Sequence, residues 1–450
     1  MAVLLLALAL VLVGLGGSYI RDGKISLQPN KSIAPARAGE QRYLIWNEWT
    51  FGINDESFAS FQQRVDQART AGFNAVRFSL YWPVLETSPG VYSWPKFDRR
   101  LDYLVSKDFK VSINFQAMAL KDQNIVSISD LMHDASGVLF TCNPINGKKQ
   151  SMIAFSSDTA LNKTASVFSD IVSRYNRRYA PGAILFYQTT FSPFGETEYS
   201  NLTLLDYSTA ARARFQSWLQ QRYGTVRAMN SALGTSFDSF SSVNPPATQD
   251  GNYGLAWFAF RTDMLKRAID KMADAARAVD PNVQFGVQFG SVWDRFSAFR
   301  GTILFDRLSR KADWVTIDDA PSYPHVFSDD YLRGTLIAKH TANEIDAPGT
   351  AGATHDILIQ QGKQAFDRGL TAVPLANWSV SDLTTHRTVI DNLTPYLPHP
   401  SPAIAPTTTL RVSALTLLRN GPGVAVNQYA AASNGGANII DAVLVNDTGF

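Results

Sequence analysis

Eight short runs rich in β-branched and aromatic residues alternate with amphipathic helical runs along most of this chain. That alternation restricts the fold to a parallel sheet with helical crossovers. The runs are Tyr43–Trp46, Ala75–Leu80, Lys110–Phe115, Ala183–Gln188, Val283–Gln288, Asp313–Ile317, Thr335–Lys339 and Gly369–Pro374. Between the first two, Phe58, Phe61, Val65 and Ala68 fall on one helical face, and Gly72 ends the helix expected over 58–71. Helical patterns also cover 97–107, 160–178 and 357–368, with a longer region from 207 to 280 interrupted near 237–252. Eight strand–helix repeats predict an α/β protein with a (β/α)8 barrel rather than an open sheet. No Gly-rich phosphate loop follows an early strand, which argues against a dinucleotide-binding sheet.

Composition narrows the function classes. With 450 residues, 45% hydrophobic and 18% charged, the chain has material for one large core. A net charge of +2 and the lack of any basic block leave no basis for expecting nucleic acid as a partner. The single cysteine, Cys142, excludes an intrachain disulfide and a cysteine metal cluster. Residues 2–20 form a charge-free apolar run, expected to be a signal peptide or membrane anchor. An extracytoplasmic location, secreted or anchored, goes with that expectation. Residues 21–40 are polar and Pro-containing and read as a linker; the barrel is expected over 41–400. Residues 401–450 carry no clear pattern and are expected to be a C-terminal extension.

In a parallel barrel the chemistry sits at the carboxyl ends of the strands. Two glutamates follow strand-like runs there: Glu196, in Phe194–Tyr199 after the fourth, and Glu344, in His340–Asp346 after the seventh. Alone, each fits a solvated loop carboxylate. Together, at opposite sides of one barrel mouth, they fit glycosidic bond cleavage. One carboxyl protonates the leaving oxygen; the other attacks the anomeric carbon or activates water. Phe191, Phe194 and Tyr199 around Glu196 would favour its protonated form. Glu198 is a lower-ranked alternative. Further substrate-binding candidates are Glu48 after the first strand, Arg77 and Trp82 in and after the second, Asn114 in the third and Gln188 in the fourth. Trp293 after the fifth, Asp318 and Tyr323 in the region after the sixth, and Trp378 after the eighth complete the set. Arg77 would orient a catalytic carboxylate, and the tryptophans would stack on sugar faces. Asp318, Asp319 and His325 have no further ligand at recognisable spacing, so neither a metal nor another cofactor is expected.

Two stretches resemble a known family. Gly72-Phe-Asn-Ala-Val-Arg-Phe-Ser-Leu-Tyr-Trp82, with Glu86, Gly90-Val-Tyr-Ser-Trp94 and Phe97-Asp98, resembles the second-strand region of clan A glycoside hydrolases. Phe215–Gly224, Met229-Asn230, Leu233–Phe237 and Pro245-Pro246 resemble the helix after the acid/base strand in family 42 β-galactosidases. The resemblance covers most of 43–380. It implies a (β/α)8 barrel, a β-galactosidase-like glycosidase acting on a carbohydrate, and a retaining mechanism. Glu196 would be the acid/base and Glu344 the nucleophile, with carboxyls about 5 Å apart. There is one departure. Family 42 enzymes carry Asn-Glu at the acid/base position, whereas this chain has Gly195-Glu196. The run Ser192–Ser200 is similar instead to the Gly-Glu-x-x-Tyr segment of β-amylases, which invert. The alternative to an enzyme is a barrel that binds carbohydrate without cleaving it.

Overall fold

In a computed structural model of the chain, the residues described are 20–21, 24–25, 41–49, 56–119, 124–142, 149–291, 297–302, 305–323, 325–336, 339–376 and 380–398. The expectations for 401–450 and nearly all of 2–20 fall outside them. Of the segment before the barrel, Ile20–Arg21 pairs antiparallel with Lys24–Ile25. No described helix is long and apolar enough to cross a membrane.

Eight parallel strands close into a barrel: β1 (Tyr43–Trp49), β2 (Ala75–Tyr81), β3 (Lys110–Gln116), β4 (Ile184–Thr190), β5 (Phe285–Gly290), β6 (Trp314–Asp318), β7 (His340–Glu344) and β8 (Ala372–Leu375). Each pairs with the next in sequence, and β8 closes on β1. The main helices are α1 (Phe58–Ala71), α2 (Trp94–Ser106), α3 (Asp158–Arg178), α4 (Thr209–Tyr223), α5 (Val226–Leu233), α6 (Gly251–Val279), α7 (His325–Thr335), α8 (His355–Asp367) and α9 (Arg387–Leu393).

Strand alternation separates two cores. Outward residues such as Val76, Phe78, Leu80, Val111, Ile113 and Phe115 join the helix-facing core with Phe61 and Val65 of α1. Full burial of each large apolar side chain contributes roughly 1.5–3 kcal/mol. Inward residues Tyr43, Ile45, Ala75, Phe186, Trp314, Ala342 and Ala372 fill the lower barrel. There Trp314 stacks on Phe186 and His340, with ring centroids 4.7 and 4.3 Å away. A Cβ at Gly286 would lie 2.5 Å from the Phe186 ring, so only glycine fits beside it. Above this apolar floor the inward side chains include Asn47, Arg77, Asn114, Gln188, Gln288, Asp318 and Glu344, which leaves the upper barrel available for chemistry.

Local signals set the helix limits. Ser57, Ser157 and Thr354 each accept a backbone N–H of the first turn of α1, α3 and α8. Such a cap contributes about 1 kcal/mol. The expected helical region 207–280 resolves into α4, α5 and α6, with the break where the pattern lapses.

The seventh strand differs from expectation. Thr335 is the last residue of α7, and the strand is His340–Glu344, not Thr335–Lys339. The sequence His-Thr-Ala-Asn-Glu lacks an apolar face because neither face is ordinary core. His340 and Glu344 point into the barrel, and Asn343 points out to carboxylates. Glu344 is therefore the final residue of a strand rather than part of a loop.

Candidate active site

Period-two alternation brings Asn47 of β1, Arg77 of β2, Gln288 of β5 and Glu344 of β7 into the upper barrel. Arg77 Nη2 lies 3.1 Å from Glu344 Oε2. Asn47 Nδ2 and Gln288 Nε2 donate to the same oxygen, each at 3.4 Å. Glu344 is 3% exposed. Burial pushes its carboxyl up from the ordinary range; Arg77 opposes this, and Asp346 and Glu196 add to it.

Glu196 lies on the turn after β4. Phe191 and Ser192 donate their backbone N–H groups to the Glu196 carbonyl at 2.8 and 3.0 Å. The Ser192 hydroxyl donates to Glu196 Oε2. Gly195 sits at φ +105°, in a region side chains avoid, which accounts for a glycine directly before Glu196. Glu196 bears electrostatically on Glu344, on Asp318 and on Tyr81. All four stand at or just past the carboxyl ends of barrel strands, on one rim.

Asp318 ends β6 in register with Glu344 and keeps part of its surface open. Burial raises its carboxyl well above the ordinary range, and Glu344, Glu196 and Asp346 raise it further; Arg300 opposes them. Burial and mutual repulsion thus favour retention of protons on Asp318 and Glu344. Glu198 is committed to structural partners. Its carboxylate accepts from Gly290 N at 3.0 Å and pairs with Arg300 at 3.1 Å, binding the loop after β4 to the end of β5.

The remaining sequence candidates divide. Gln188 is fully buried and faces the barrel interior between Phe186 and Thr190, and neither its amide nitrogen nor its oxygen has a protein partner among the described residues. Asn114 is committed internally, donating to Ser79 Oγ at 3.1 Å and accepting from Thr190 Oγ1 at 3.0 Å. Tyr323 is half-buried on the turn after β6. Trp293 and Trp378 lie outside the described residues. Two expectations need correction. Glu48 points out of the barrel, because it neighbours the inward Asn47, and forms a two-pronged pair with Arg64 of α1 at 2.7 and 2.9 Å. Trp82 is fully buried in the outer core, donating to Glu86 at 2.7 Å and packing on Phe115. Neither reaches the mouth.

Asp319 and His325 also lie behind the wall. Asn343 Nδ2 donates to Asp319 at 3.1 Å and to Asp329 of α7 at 3.0 Å. Burial lowers the His325 imidazole. Among the described residues no group of three or more His, Cys, Asp or Glu side chains is arranged to hold a metal ion. Sequence reasoning missed Asn47, Gln288 as a carboxylate partner, and Ser192. Alternation with Tyr43 and Ile45 was the available signal for Asn47. Ser192 had none, because its role depends on a turn.

A closed parallel barrel with buried glutamates at the fourth and seventh strand ends is the architecture of clan A glycoside hydrolases. The family model described as glycoside hydrolase family 42, beta-galactosidase, matches residues 54–309, more than half of the chain, and the chain belongs to that family. Among curated relatives, a thermophilic beta-amylase of Thermoanaerobacterium thermosulfurigenes is 30% identical over 138 residues, 28% of this chain and 25% of that protein. Beta-galactosidase BgaA of Thermus sp is 24% identical over 283 residues, 60% of this chain and 40% of that protein. The chain thus spans less than half the length of these relatives. The catalytic domain of a beta-amylase from Paenibacillus polymyxa shares the fold, with a TM-score of 0.62 at 14% identity, covering 80% of this chain and 99% of that domain.

Proposed function

We propose that this barrel hydrolyses a glycosidic bond in an oligo- or polysaccharide, with a β-galactoside as substrate class, by a retaining mechanism. Glu196 gives a proton to the glycosidic oxygen while Glu344 attacks the anomeric carbon. Glu196 then takes a proton from the water that releases the sugar. The observation that carries this reading is the seat of Glu344. Side chains from three strands converge on one of its oxygens, and Glu196 acts on it from the same mouth. Arg77 favours the ionised form that a nucleophile needs, against burial and two neighbouring acids, Asp346 and Glu196. Membership of the family supports the substrate class. Gln188 has no exposed surface, so its unpartnered amide lies beneath the mouth rather than against a sugar. Asp318, half-buried at the mouth, is a sugar contact in this reading.

A second reading has its own support. Gly195-Glu196 replaces Asn-Glu, and a matched relative is a beta-amylase, which favours an inverting reaction. Proton NMR of the first product formed from an aryl β-galactoside separates the two. The retaining mechanism releases the β anomer first; the α anomer first would establish inversion. Inertness toward a panel of aryl glycosides would leave only carbohydrate binding.

A further inference from the structure

We propose that Ser192 is a positioning residue that dictates which oxygen of Glu196 carries the catalytic proton; this rests on reading Glu196 as the acid. A serine hydroxyl has one proton and two lone pairs. Both acceptor sites of Ser192 Oγ are engaged, by Phe194 N at 3.2 Å and Glu196 N at 3.1 Å. Its single proton is left to point at Glu196 Oε2. Oε2 is therefore held as an acceptor, because a proton there would confront the serine proton. The transferable proton is confined to Oε1.

The hydroxyl cannot easily turn away. Ser192 is 1% exposed. Its backbone N–H donates to the Glu196 carbonyl at 3.0 Å, closing the turn on itself. Its carbonyl accepts from Gln116 Nε2 at 2.6 Å, and Gln116 Oε1 accepts from Thr190 Oγ1 at 2.6 Å. The single Thr190 proton is shared between Gln116 Oε1 and Asn114 Oδ1, and Asn114 donates to Ser79. A chain of inward polar residues from β2, β3 and β4 thus ties the acid's turn to the barrel wall.

In the first step the Oε1–H bond of Glu196 breaks and its proton passes to the glycosidic oxygen. The C1–O bond breaks with its electrons going to that oxygen, and a bond forms between Glu344 and C1. The Ser192 proton stays on Ser192, and its hydrogen bond to Oε2 strengthens as Glu196 becomes anionic. Among the described residues, the titratable groups that bear on Glu196 are Tyr81 from β2, Asp318 from β6 and Glu344 from β7. The cations nearby among the described residues are Arg77, against Glu344, and Arg300, against Glu198 and Asp318. A serine variant leaves all of these in place.

The test measures kcat/KM against pH for the wild type, Ser192→Ala, Ser192→Thr and Glu196→Gln. Two substrates are used, an alkyl β-galactoside that needs its leaving oxygen protonated and a dinitrophenyl β-galactoside that does not. Removing a donor to the anion lets the protonated form persist to higher pH. Ser192→Ala is therefore expected to move the alkaline limb with the alkyl substrate upward by roughly one pH unit. Its optimum falls about tenfold for want of a directed proton. Turnover of the dinitrophenyl substrate barely changes, and Ser192→Thr restores both properties. An unmoved limb, or equal losses on the two substrates, overturns the proposal. Where thermal melting shows Ser192→Thr unfolded, the limb and the leaving-group ratio of Ser192→Ala decide alone. If Glu196→Gln cleaves the alkyl substrate like the wild type, the acid assignment itself has failed, which is a distinct result.

Discussion

Glu344→Gln is expected to lower kcat for an aryl β-galactoside by roughly 10⁵-fold, the scale of losing a covalent nucleophile. The amide keeps the shape of the carboxylate, so Asn47 and Gln288 retain a partner oxygen. It cannot attack the anomeric carbon. The fold should survive, because the substitution also removes a negative charge from beside Glu196, Asp318 and Asp346. Steady-state kinetics with a chromogenic substrate, alongside circular dichroism melting, checks both halves. Activity within tenfold of the wild type would remove Glu344 from the mechanism. A collapsed melting transition would instead assign the residue to stability.

Glu196→Gln should separate substrates by leaving group. For an alkyl β-galactoside, kcat/KM falls by roughly 10²–10⁴, the usual contribution of a positioned general acid. For a dinitrophenyl β-galactoside it changes little, since that leaving group departs without a proton. Release of the sugar still needs Glu196 as base, so the variant should show a rapid burst followed by slow turnover. Stopped-flow absorbance reads the burst directly. Equal losses on both substrates, or no burst, would mean that Glu196 is not the acid. Glu198 would not replace it, because its carboxylate is already engaged by Arg300 and the Gly290 amide.

Much of this was legible in the residues, and the failures have physical causes. Seven of the eight expected strands fall where apolar runs placed them, because an outward face packed on helices must be apolar. The seventh eluded the pattern because its inward face carries His340 and Glu344 and its outward face carries Asn343 against Asp319 and Asp329. A functional strand buries polar groups, and that erases the signal by which strands are read. Glu48 and Trp82 show the converse error. At the end of a strand, adjacent residues face opposite layers, so polarity alone could not say that Asn47 faces the mouth while Glu48 pairs with Arg64. Trp82 looked like a platform for a sugar ring but anchors the turn after β2 through Glu86. The glutamate pair was visible because strand ends converge in any closed barrel. Ser192 was not, because its role arises only once the turn brings its hydroxyl back to Glu196.

The central claim is that Glu344 forms a bond to the sugar while Glu196 supplies the proton. Incubation with an activated 2-deoxy-2-fluoro-β-galactoside, followed by peptide mass spectrometry, tests it most directly, because the fluorine slows release of the covalent intermediate. The predicted result is stoichiometric inactivation, with the fluoro-sugar mass on the peptide containing Glu344 and none on the peptide containing Glu196. Turnover of the ordinary substrate with no adduct, or an adduct on any other residue, would contradict the account.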